Sequence, residues 1–179
     1  MGSDSNITFL FLHAHDYVVG TFLDISSTNV NFSCQNSTFE NTIPSDSAMN
    51  GLFAFVYPNL EIVGSTFRNI ACKYCLIAGV FGPTDNFIIR DSYFEDCRTN
   101  DFYFIAAQTT TNMEISGSTF IDVLGNQPND IVTGAIVPQG VKSVYIKNCT
   151  FICRNGVTVD SRGVFIQTNS NITVENVVF

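Results

Sequence analysis

The sequence predicts an all-β chain wound as a right-handed parallel β-helix, about six to seven coils of 26–31 residues with three short strands per coil. Three observations predict it. A six-residue pattern ending in Phe recurs at 34–39, 62–67, 89–94, 115–120, 146–151 and 174–179, with the Phe returning after 28, 27, 26, 31 and 28 residues. Apolar and polar residues alternate before each Phe, the period of a strand with one face inward. Eight residues ahead of each Phe stands Asn31, Asn59, Asn86, Asn112, Ser143 or Asn171, and Asn6 extends the column if the first coil has 25 residues.

The first strand of each coil carries two inward columns. One is Phe32, Leu60, Phe87, Met113, Val144 and Ile172; the other is Cys34, Ile62, Ile89, Ile115, Ile146 and Val174. A turn column follows, Asn36, Gly64, Asp91, Gly117, Asn148 and Asn176, residue types that accept left-handed backbone geometry. The second strand is Ser-Thr-Phe in most coils, with Ser and Phe inward and Thr outward, so that Phe39, Phe67, Phe94, Phe120, Phe151 and Phe179 form an interior ladder. The third strand is expected near 53–56, 79–81, 102–105, 134–137 and 163–166, after loops of variable length. The Asn column is expected to hydrogen-bond along the axis. Propeller blades need about 40 residues, and leucine-rich repeats a Leu motif at a shorter period. Parallel strands joined in sequence take the right-handed crossover.

Composition agrees with this winding and excludes some functions. The chain has 179 residues, 45% apolar and 13% charged, with 17 Phe and no Trp, which is too apolar for disorder. Net charge is −8, and the eight Lys and Arg are scattered, so a nucleic-acid partner is not expected. No apolar run reaches membrane-spanning length, and the first residues lack a secretion signal. Residues 1–28 read as an irregular first coil or N-terminal cap, since Ala14 falls where the Phe belongs. Residues 29–179 read as β-helix repeats cut short at the C-terminal end, with flanking coils or a capping chain expected to cover Phe179.

The motifs Phe39-Glu40-Asn41, Phe67-Arg68-Asn69, Phe94-Glu95-Asp96 and Phe120-Ile121-Asp122, paired with the Gly134-led third strand, carry a resemblance. The chain resembles the right-handed β-helix superfamily typified by pectate lyases. Within it, the pattern looks like the repeat arrays of polymorphic membrane proteins and protist surface β-helices. The resemblance covers 29–179 and departs from those arrays in having no doubled Gly before the third strand. It implies an extracellular or cell-surface location, with any export signal outside this chain.

Of the six cysteines, Cys34 and Cys149 stand in inward columns as small buried hydrophobes. Cys149 and Cys153 are too far apart along a strand to bridge. Cys72 and Cys97 lie on adjacent coils and are placed for a disulfide, while Cys72-x-x-Cys75 is half of a zinc pattern with no second pair or nearby His. No metal or cofactor is expected.

The expected function is that of a non-catalytic adhesin-like binding or spacer module, with glycans or cell-surface proteins as partners. The alternative is a polysaccharide lyase or glycoside hydrolase, which needs clustered carboxylates and a basic group. Its residues would be Asp91, Glu95, Asp160 and Arg162, although Asp91 holds the turn column and Asp96, beside Glu95, matches Asn41, Asn69 and Asp122. The histidines, His13 and His15, sit in the irregular first coil. Five glycosylation tripeptides begin at Asn6, Asn31, Asn36, Asn148 and Asn171, of which Asn36 and Asn148 are the exposed candidates. The outward column Thr38, Thr66, Thr119 and Thr150 is interrupted by Tyr93. That break and the charged Glu40, Arg68 and Glu95 spoil an ice-binding plane. Tyr93, Tyr145, Thr66 and Thr119 remain as a surface for glycan contact. Functional variation is expected in the loops 40–50, 68–78, 121–133 and 152–162.

Overall fold

The computed structural model describes residues 5–16, 21–25, 30–42, 51–55, 59–72, 75–79, 84–99, 105–108, 110–123, 133–154, 161–164 and 171–179. It is all-β, a parallel β-solenoid with three sheets running along its axis. The first sheet stacks Ser5–Leu10, Val30–Gln35, Asn59–Val63, Thr84–Arg90, Thr110–Ser116, Ser143–Lys147 and Asn171–Glu175. The second stacks His13–His15, Thr38–Glu40, Thr66–Arg68, Tyr93–Glu95, Thr119–Ile121 and Thr150–Ile152. The third stacks Thr21–Ile25, Gly51–Phe55, Cys75–Gly79, Ile105–Gln108, Thr133–Gln139 and Ser161–Val164. Among the described residues no helix is long and apolar enough to cross a membrane.

Register follows the sequence columns. Asn6 pairs with Asn31, Asn31 with Asn59, Asn112 with Ser143 and Ser143 with Asn171. The inward Phe32, Cys34, Leu60, Ile62, Phe87, Ile89, Met113, Ile115, Val144 and Ile146 are buried. At the last strand the same columns are open, with Ile172 45% and Val174 53% exposed. The interior Phe ladder stacks face to face, with centroids 5.2, 4.9, 4.8, 4.8 and 5.3 Å apart from Phe39 to Phe179. Isolated rings favour offset or edge-on pairs, so the near-parallel planes reflect the strand spacing that carries them. Phe53 of the third sheet supplies the edge-on contact, meeting Phe39 at 88° and Phe67 at 86°.

Beside the Phe column runs a buried serine ladder. The backbone N–H groups of Ser37, Ser65 and Ser92 each donate to the hydroxyl oxygen of the next coil's Ser, at 3.2, 3.2 and 3.1 Å. Each hydroxyl in turn donates to the carbonyl two residues before it, 2.8–3.1 Å away in Ser37, Ser65, Ser92 and Ser118. Cys149 continues the column, its thiol 3.3 Å from the Lys147 carbonyl. Polar atoms this deep need partners, and the column supplies them coil by coil.

Both bends that flank the second sheet are left-handed. The first is the turn column, with φ of 47–59° at Asn36, Gly64, Asp91, Gly117, Asn148 and Asn176. The second, at Asn41, Asn69, Asp96 and Asp122, has φ of 48–56°. Sequence matching aligned these residues, but their backbone geometry emerges only here. In the first bend large and absent side chains alternate from Asn36 to Asn148. A Cβ on Gly117 would collide with Asp91 Oδ1, and one on Gly64 would lie 2.6 Å from Asn36 Oδ1.

Three expectations are corrected or refined. Cys72 and Cys97 are free thiols, not a disulfide. A small two-stranded sheet pairs Arg98 with Ala71 and Thr99 with Cys72, so Cys97 stands two residues out of step with Cys72, roughly 8 Å away and beyond bridging range. Burial pushes the Cys72 thiol up to about 12 and the Cys97 thiol higher, and the latter donates to the carbonyls of Glu95 and Phe67. The third strand is displaced from its expected place in three coils: Ile77, not Gly79, pairs with Phe53; Ile105 opens rather than closes its strand; and Arg162, not Gly163, pairs with Gly134. The first coil is irregular in composition but keeps register, with Ala14 opposite Phe39 and a left-handed Phe11, φ 54°, at the turn position.

Candidate functional site

The residues singled out by sequence divide between two outer faces. On the first sheet the alternation that sends Phe32 and Leu60 inward sends Thr8, Ser33, Glu61 and Ile88 outward in one register column. The Asn column runs along the edge of the same face. Asn31 Nδ2 donates to Asn6 Oδ1 at 3.1 Å, Asn59 Nδ2 to Asn31 Oδ1 at 2.9 Å, and Asn112 Nδ2 to Asn86 Oδ1 at 3.2 Å. Between Asn59 and Asn86 the donor is instead the Asn86 backbone N–H, at 3.0 Å. The two columns and Gln35 line a groove of about 420 Å³ that crosses the first four coils. Gln35 Nε2 donates to Ser33 Oγ at 2.9 Å, and Ser33 Oγ to Glu61 Oε2 at 3.5 Å.

On the second sheet the structure brings Thr66, Tyr93 and Thr119 together in one row. Tyr145 is 51% exposed but lies on the first sheet between Glu114 and Thr173, so it belongs to another face. The Arg68 guanidinium lies 5.9 Å from the Tyr93 ring centroid. Beside that row runs an ionic chain: Arg68 Nε reaches Glu95 Oε2 at 3.0 Å, and Arg154 Nη1 reaches Glu95 Oε1 at 2.9 Å. Arg154 also holds Asp122 at 2.7 Å and Asp96 at 3.1 Å, so one side chain ties together three coils. The Arg68 hydrogen bond, with Tyr93 and Arg154 behind it, holds the Glu95 carboxyl below its ordinary value. At Asp122 burial pushes the carboxyl up, but the bonds from Arg154 outweigh it and the net shift is downward.

These contacts bear on the residues named for catalysis. Glu95 is gripped by two arginines, and Asp91 sits at a left-handed turn with its carboxylate over Gly117. The two carboxyls therefore have different partners. Arg162 lies in its strand opposite Gly134, and Asp160 lies outside the described residues. Most of each of the loops 40–50, 121–133 and 152–162 also lies outside them, whereas 68–78 is described except for residues 73 and 74 and carries the strands Ala71–Cys72 and Cys75–Gly79. Asn36 and Asn148 are exposed at left-handed turns, and Asn148 Oδ1 accepts from Asn176 Nδ2 at 3.1 Å. Cys72 is buried rather than presented to a metal.

Sequence reasoning missed Arg154 and the groove. Arg154 is separated from Glu95 by 59 residues and lies outside every repeat column, so no spacing signalled it. Glu61 and Ile88 stood in an outward column that reads as ordinary strand surface. No family model matches the chain, nor does any curated protein or solved structure.

Proposed function

We propose that the chain is a non-catalytic binding module of an extracellular or cell-surface β-helix, and that the groove on the first sheet holds an extended, uncharged glycan. The groove carries this reading. Its volume falls within the roughly 300–1,000 Å³ range of ligand sites. Its lining is amide and hydroxyl (Asn6, Asn31, Asn59, Asn86, Thr8, Ser33, Gln35), with Ile88 as an apolar patch. Amides and hydroxyls both donate and accept, as sugar hydroxyls do. Ile88 suits the C–H face of a pyranose. Four coils extend about 14 Å along the axis, the length of a short oligosaccharide. Glu61 disfavours an acidic chain. The resemblance to surface β-helix arrays supports the location.

The test is a glycan array probed with the purified chain, followed by titration of the best neutral oligosaccharide. Wild type is expected to bind, and Ser33→Phe, which fills the groove, to lose binding with unchanged far-UV circular dichroism. Equal binding by Ser33→Phe would move the site elsewhere. A polysaccharide panel with and without Ca²⁺ should release no new reducing ends or unsaturated sugars; release would establish catalysis instead.

A further inference from the structure

The groove does not involve the histidines, and they stand in an arrangement of their own. His13 and His15 alternate along one strand and so face outward together from the second sheet. Both side chains are 60% exposed, and their ring centroids are 5.2 Å apart. Two imidazoles on one tetrahedral metal, with metal–nitrogen bonds near 2.0–2.1 Å, have centroids about 5 Å apart. Glu40 is the backbone partner of His15 on the next coil, and its Oε2 lies 4.0 Å from His13 Nε2. A nitrogen and an oxygen sharing a tetrahedral metal are about 3.4 Å apart, so the pair needs only a small closure.

The surroundings fit as well. Asp16 Oδ2 is 3.2 Å from His15 Nδ1, so in the tautomer that carries its proton on Nδ1 that nitrogen donates to Asp16 and Nε2 is free to ligate. Asp16 is brought to that place by its left-handed backbone, φ 51°. Arg68 Nη1, 3.5 Å from Glu40 Oε1, holds the other carboxylate oxygen and aims Oε2 toward the histidines.

We infer that His13, His15 and Glu40 form a surface site for a first-row divalent transition metal, zinc or copper(II), with Asp16 and Arg68 as supports. Two imidazoles and one carboxylate select these ions over calcium or magnesium, which take oxygen ligands. Among the described residues no group of three or more His, Cys, Asp or Glu is placed to hold a metal ion as the side chains stand. The ligands close by side-chain rotation, which their exposure permits. The bound ion would join the first coil to the second at the position where Ala14 removes the Phe stack.

The experiment is calorimetric titration of the full chain, carrying no histidine tag, with zinc chloride, alongside thermal unfolding with and without zinc. Wild type is expected to bind one equivalent and to melt higher with zinc. His13→Ala and His15→Ala should each weaken binding by roughly tenfold or more, Glu40→Gln by less, and Asp91→Asn not at all. His15→Asn serves as a second variant if the alanine form folds poorly. Absence of binding by wild type would overturn the inference. So would a His13→Ala/His15→Ala double variant that binds zinc as tightly and gains as much in melting temperature.

Discussion

The first coil and the coils at the middle of the stack share a register but not a set of residues. In the middle, Phe94 is flanked by Phe67 and Phe120 at 4.9 and 4.8 Å, and the left-handed turn is taken by Asp91 or Gly117. In the first coil the corresponding places hold Ala14 and Phe11, yet Thr8 pairs with Ser33 and Ala14 with Phe39 in unbroken parallel register. The strand hydrogen bonds and the inward Phe9, 5.4 Å from Phe32, keep the coil in line. The ladders therefore supply stability more than they supply alignment. A coil that gives up its ladder residues is freer to carry other chemistry, and the two histidines stand there.

The largest effect should come from the Phe column. Phe94→Ala opens a fully buried site and should cost about 3–5 kcal/mol, read by urea unfolding. Ala14→Phe should act in the opposite direction, adding a ring that stacks on Phe39 and raising stability by about 0.5–1.5 kcal/mol. If Ala14→Phe destabilised the chain, the first coil would be packed for its small residue, and the comparison would fail.

This contrast also marks what the sequence could reveal. The columns were legible because each position repeats one physical demand: inward apolar, left-handed polar, inward serine, outward threonine. Asn6 was placed correctly by a 25-residue first coil, and its hydrogen bond with Asn31 follows. What stayed hidden departs from repetition. The third strand follows loops of unequal length, so its register could not be counted from the Phe. Cys72 and Cys97 looked like neighbours on adjacent coils, but a two-residue offset separates them. Placing Ala14 in the Phe column already set His15 opposite Glu40, but the columns could not show how near the two imidazoles and the Glu40 carboxylate come to one another.

The turn column gives the next matched pair. Gly117→Ala would force a Cβ into the left-handed region and against Asp91 Oδ1, and should cost about 1–2 kcal/mol or more. Asp91→Gly in the same chain should recover part of that loss by removing the clash. In the first coil the sign reverses. Phe11 holds φ 54° while 73% exposed, so Phe11→Gly should raise stability by about 1 kcal/mol. A destabilising Phe11→Gly would show that the exposed ring does more for the coil than its backbone strain costs.

The Asn column should give smaller differences, because it is partly open to water. Asn86 both receives from Asn112 Nδ2 and donates its backbone N–H to Asn59, whereas Asn6 has one ladder neighbour, Asn31. Asn86→Ala should lower stability by about 0.5–1.5 kcal/mol and Asn6→Ala by less. Unchanged melting of Asn86→Ala would remove the ladder from the account of what holds the coils.

The smallest effect distinguishes the ionic chain from the apolar stack by its pH dependence. Glu95 is held below its ordinary carboxyl value of 4.5, first by the Arg68 hydrogen bond. The folded protein thus binds that proton less readily than the unfolded chain. The stabilisation is complete above the unfolded value and is lost as pH falls through the lower folded one. Glu95→Gln should therefore melt slightly below wild type at neutral pH, and the two should converge in acid once pH has fallen through the lowered folded value. Phe94→Ala should keep the same deficit wherever the fold persists, because burial of a ring carries no proton. A Glu95→Gln deficit that survived in acid would mean that Glu95 acts by packing against Arg68 and Arg154. The ionic chain would then be one more ladder, uniform with the Phe column rather than distinct from it.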